Sequence, residues 1–85
     1  MREITVYGRS NDSETILTMR LVTDLAKDGD EATYRGFEEL PYTEYRIISS
    51  VFGDDLPVVL LHDKLTGKRR AVQGLNPDAI REAMK

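Results

Sequence analysis

The sequence contains no cysteine and a single histidine, His62, in 85 residues. Without thiols there is no disulfide, no thiolate nucleophile and no sulfur-ligated metal. One imidazole also rules out a nitrogen-rich zinc site. Carboxylates are the remaining metal ligands, but Asp54-Asp55 and Asp28-Gly29-Asp30-Glu31 read as solvated loop charges. The later ligands of a calcium loop are missing. No metal and no cofactor is expected.

A basic surplus is lacking too. Lysine and arginine number 12 against 15 acidic residues, for a net charge of −3, which argues against a nucleic-acid partner. No apolar run approaches a membrane span, and there is no repeat, low-complexity tract or linker. Met1-Arg2-Glu3-Ile4 does not open like a signal peptide. The expectation is one cytoplasmic domain over residues 1–85, small enough to bury only about 60–65% of its unfolded surface.

The most apolar stretch present is Leu56-Pro57-Val58-Val59-Leu60-Leu61-His62. Its lack of alternation marks a strand buried on both faces, beginning at Pro57, since proline cannot sit in a ladder's middle. Before it, Glu3–Tyr7 alternates as a first strand. A helix capped by Asp12 follows to about Lys27, with Leu17, Leu21 and Leu25 on one stripe and Val22 and Ala26 widening it.

Glu31–Phe37 reads as a weaker strand. Pro41 opens a second helix running to Phe52, with Ile47, Ile48, Val51 and Phe52 as its inner face. After the central strand, Lys64-Leu65-Thr66-Gly67 turns the chain into a polar edge strand, Lys68–Gln73. Asn76 then caps a last helix, with Pro77 at its first position, to about Met84. The order is βαβαββα: a parallel, right-handed first βαβ unit and a closing antiparallel hairpin. Periodicity alone does not orient the third strand against the first.

Ile4-Thr5-Val6-Tyr7-Gly8-Arg9, Leu56-Pro57-Val58-Val59 and Gly74-Leu75-Asn76-Pro77-Asp78, in that order and spacing, resemble the glutaredoxins, and among them the NrdH redoxins. The resemblance covers nearly the whole chain. It implies a thioredoxin-like, glutaredoxin-type α/β sandwich with a four-stranded mixed sheet. In that family the third strand runs antiparallel to the first, and a cis-proline, here Pro57, lies beside the first helix's start. The family's Cys-x-x-Cys falls on Asp12-Ser13-Glu14-Thr15. Dithiol exchange needs an attacking thiolate and a resolving thiol, and neither Asp12 nor Thr15 can serve. Redox activity by the family's mechanism is excluded, and the chain is expected not to be an enzyme.

Asp12 reads first as a helix cap, though the positive helix end that would favour a thiolate equally favours its carboxylate. Ser10 and Ser13 have no general base, because His62 lies five residues along the strand from Pro57, about 16 Å away. For glutathione, the resemblance leaves Arg9 and the Leu56 backbone, but Gln73-Gly74 replaces a double glycine and the threonine–aspartate pair is missing.

Three functions follow. The leading one is a non-catalytic redoxin-fold module that docks a protein partner, as adaptor or decoy, through Arg9, Ser10, Asn11, Asp12, Ser13, Thr15, Leu56, Pro57, Leu75 and Asn76. The second is a glutathione-dependent transferase using the hydroxyl of Ser10, Ser13 or Thr15. The third is nucleic-acid contact through the hairpin cations Lys64, Lys68, Arg69 and Arg70, which otherwise form a solvated edge.

Overall fold

A computed structural model describes residues 1–53 and 55–85; Asp54, read above as a loop charge, lies outside the described residues. The elements are β1 (Arg2–Gly8), α1 (Ser13–Leu25), β2 (Glu31–Gly36), a 3-10 turn (Phe37–Glu39), α2 (Tyr42–Phe52), β3 (Val58–Asp63), β4 (Arg69–Gln73) and α3 (Pro77–Ala83). They form one sheet in the order β2-β1-β3-β4. β1 and β2 are parallel, β3 is antiparallel to both β1 and β4, and Tyr7 stands opposite Val58. No helix among the described residues is long and apolar enough to cross a membrane.

The unalternated central strand is explained by burial on two sides. Val59 and Leu61 join Ile4, Val6, Val22, Ile80 and Met84 in one cluster. Val58 joins Tyr7, Phe37 and Ile48 in the other, with Leu60 packed against it. Each such aliphatic side chain contributes about 1.5–3 kcal/mol through burial. Pro57 stands one residue ahead of β3 rather than as its first residue. Lacking an N–H, it takes part through its carbonyl, which accepts from Gly74 N–H at 2.7 Å. Glu31–Phe37 likewise loses its last residue, because Phe37 starts the 3-10 turn. Pro41 precedes α2 as its cap instead of opening the helix.

The helix faces read from apolar spacing hold in part: Val22 of α1 is in the core and Leu21 and Leu25 pack against it. α1 buries Thr15, Thr18 and Val22, while Leu17 is 48% exposed. Two threonines thus occupy core positions that a count of aliphatic residues passes over. The helix also stops at Leu25 rather than Lys27, whose N–H donates to the Asp30 carboxylate at 2.9 Å.

In α2, Ile48 is buried and Phe52 half-buried, but Ile47 and Val51 are 58% and 67% exposed. Polar anchors set this rotation. Glu44 accepts from the Tyr7 hydroxyl at 2.9 Å and pairs with Arg35. Tyr45 meets Phe37 edge-on at 5.4 Å between centroids. The inward stripe is therefore Glu44, Ile48 and Phe52, with the exposed Tyr45 at its margin, which keeps helical spacing with a carboxylate at its head.

The Thr18 hydroxyl oxygen is buried with no hydrogen-bond partner among the described residues. Thr18→Val keeps the shape and removes a desolvated donor, so it is expected to stabilise the chain by about 1 kcal/mol in urea unfolding. A loss of stability would show that the hydroxyl is satisfied in solution.

Candidate functional site

The register brings three chain segments to one end of the sheet. Opposite Tyr7, at the exit of β1, lies Val58 at the entry of β3, so Gly8 and Pro57 share that rim. The Leu56–Pro57 bond is cis. The hydrogen bond from Gly74 to Pro57 adds the loop that leads into α3. There Asn76 caps the helix by accepting from Ala79 N–H at 3.2 Å.

The start of α1 is fixed by a compact hydrogen-bond network. Asp12 N–H donates to the Arg9 carbonyl at 3.1 Å, closing the turn. The Asp12 carboxylate accepts from Thr15 N–H at 3.3 Å and from the Thr15 hydroxyl at 2.8 Å. Thr15 Oγ1 in turn accepts from Arg9 N–H at 3.3 Å. Asp12 thus caps the helix as its residue type demands.

Gly8 makes the arrangement possible. A Cβ there would stand 2.3 Å from Thr15 Oγ1 and 2.4 Å from its Cγ2. Nothing in the sequence marks this contact, because it joins the end of a strand to a side chain on the following helix.

Arg9, Ser10, Asn11, Ser13 and Asn76 are exposed on this rim, with Asp12, Leu56 and Leu75 half-buried. Thr15 and Pro57, named above as contact residues, are corrected: both side chains are almost fully buried and shape the face from beneath. The buried Thr15 hydroxyl is also fully engaged, and cannot face a bound thiol. His62 lies near the other end of β3, opposite Glu3 and Arg69, away from both serines. The Ser10 N–H donates to Glu38, whose carboxyl is held below its usual range by backbone N–H groups, its own and that of Ser10. Beneath the rim, burial and the Glu44 carboxylate push the Tyr7 hydroxyl up to about 12.

The hairpin cations are not brought together. Arg69 and Arg70 stand opposite His62 and Leu61, on opposite faces of β4, and Lys64 is taken up by Glu3. A further correction concerns Asp30, which is not a solvated charge. Its side chain is 5% exposed and that of Arg2 10%, and the guanidinium holds the carboxylate in a fork at 2.6 and 3.2 Å. The same guanidinium donates to the Met84 carbonyl at 2.8 Å. Among the described residues no cluster of three or more histidine or carboxylate side chains is placed to hold a metal ion.

No protein-family model and no curated protein matches the sequence. The structure is similar to the crystal structure of a glutaredoxin from Archaeoglobus fulgidus. The TM-score is 0.71 at 21% identity, over 100% of this chain and 88% of that one. The chain therefore has the thioredoxin-like fold of a glutaredoxin, without a cysteine anywhere in it.

Proposed function

We propose that this chain is a non-catalytic member of the redoxin lineage, nearest the NrdH redoxins, that docks a protein partner on the rim where redoxins carry their dithiol. The reading rests on one observation above the others. Asp12 and Thr15, at the positions the resemblance assigns to the two cysteines, are joined side chain to side chain by a 2.8 Å hydrogen bond. A contact that redoxins make and break through sulfur is here a fixed structural bond. The rim stays formed while its chemistry is gone. Its exposed groups are a guanidinium, hydroxyls and amides beside the half-buried Leu56 and Leu75, a composition suited to protein contact. The transferase reading has less support, since the Thr15 hydroxyl is engaged by Asp12 and Arg9, and the double glycine and threonine–aspartate pair that the resemblance associates with glutathione are replaced.

The test is capture from native lysate with immobilised chain. Leu56→Asp combined with Asp12→Lys is expected to release partners that the unaltered chain holds. Leu65→Asp, at a hairpin residue 83% exposed, is expected to keep them. Since Asp12→Lys also removes a cap, at a cost of about 1 kcal/mol, folding is verified by circular dichroism. Retention of every specific partner by the folded double variant would rule the rim out.

A further inference from the structure

A second surface adjoins the rim at Arg9 and Ser10 and runs down the outer side of α1 against edge strand β2. It is a groove of about 500 Å³. Its apolar lining comes from Ile16, Met19 and Tyr34, with Thr23 beside them, and its charged lining is two guanidinia, Arg9 and Arg20, against one carboxylate, Asp24. Ile16 is 48% exposed although it has a groove wall to pack on. Neither guanidinium makes an ion pair among the described residues. Glu38 senses Arg9 only through space, its carboxylate being engaged by backbone N–H groups.

The two edges of the sheet are guarded unequally. β4 carries Arg69 and Arg70 on opposite faces, beside the exposed Lys68, which deters another strand. Among the described residues β2 pairs only with β1, over six residues in register. On the α1 side it presents Ala32, Tyr34 and Gly36, in register with Ile4, Val6 and Gly8, and none of them is charged. Its one cation, Arg35, faces the other side and is occupied by Glu44. β2 therefore offers an unblocked backbone edge with an apolar groove alongside, the arrangement by which strand-adding domains read extended peptides.

We propose that β2 is a strand-addition site for an extended segment of a partner protein, with alternate apolar side chains in the groove and an acidic side chain toward Arg9 and Arg20. Backbone pairing supplies affinity, and the groove and guanidinia supply selection. A second copy of this chain fits less well. Its own β2 would bring Ala32 and Tyr34 to the groove side, while its acidic Glu31 alternates to the opposite face. The two unpaired guanidinia would remain unanswered.

The probe is a displayed library of random linear peptides selected on the immobilised chain, followed by amide NMR with an enriched peptide. Expected are sequences with apolar residues at alternate positions and an aspartate or glutamate. Shifts should centre on β2 together with Ile16, Met19 and Arg20. Ile16→Asp and Arg20→Glu, both at exposed positions, should each weaken binding at least tenfold. Arg20→Glu should also reduce the preference for acidic peptides. Leu56→Asp alone, at a rim residue outside the groove lining, should leave this binding unchanged, which separates the groove from the rim. No enrichment, shifts centred on β4 or α2, or groove shifts without the β2 amides would overturn the proposal. So would concentration-dependent dimerisation through β2.

Discussion

Asp30→Ala is expected to lower stability at neutral pH by roughly 3 kcal/mol, because it leaves the Arg2 guanidinium buried and short of its partner. For a chain of this size that corresponds to a midpoint drop of roughly 10–20 °C. The buried fork closes a contact between residues 28 positions apart, and Arg2 also holds the Met84 carbonyl after α3. One guanidinium thus ties the start of β1, the entry to β2 and the end of the chain. Replacing both partners together, Arg2→Met with Asp30→Leu, should recover more than half of the loss, since no charge is then left unpaired. A loss below 1 kcal/mol for Asp30→Ala in urea unfolding would show the pair to be solvated.

The same pair sets an acid limit. The Arg2 hydrogen bond, then backbone N–H groups, pull the Asp30 carboxyl down from 3.8 to about 2. A folded-state pKa below the unfolded value stabilises the fold above the unfolded pKa, and that contribution disappears as pH falls through the folded one. About 2 kcal/mol should therefore be lost between roughly pH 4 and pH 2. Asp30→Asn should lack this component of the acid transition while keeping those of the other carboxylates.

Gly8→Ala is the second large effect, at roughly 2–3 kcal/mol, and its cause is space rather than backbone freedom. The added methyl would meet the Thr15 side chain at three atoms, the farthest, Cβ, at 2.9 Å. Overpacking of this kind costs about 1–3 kcal/mol, and here relief requires α1 itself to move. Thr15→Ala removes two of the three contacts, at the expense of the hydrogen bonds to Asp12 and Arg9. Gly8→Ala with Thr15→Ala should thus be more stable than the sum of the single losses by at least 1 kcal/mol. Strict additivity would mean that the strand end and the helix start do not touch in solution. Because α1 carries the rim, Gly8→Ala should also weaken whatever docks there.

The residues that were legible in sequence are those whose role is local. Asp12 and Asn76 cap helices because their side chains reach backbone N–H groups three residues on. The partly mistaken helix faces show where that logic stops. Ile47 and Val51 are as apolar as Ile48, and it is contacts from other parts of the chain that set which of them turns inward: Tyr7 and Arg35 hold Glu44, and Phe37 meets Tyr45. The hairpin shows the same limit: adjacent cations on a strand point to opposite faces, so a run of charge in sequence is not a patch in space.

The sequence by itself determined the order of elements, the central buried strand and the exclusion of thiol chemistry, since composition and periodicity act between near neighbours or are simple inventory. Only the tertiary structure decided the rotation of α1 and α2, the seating of Gly8 on Thr15 and the burial of the Arg2–Asp30 pair. These depend on which distant segments are folded against each other, and the desolvation and contact they bring have no signature in any one stretch of chain.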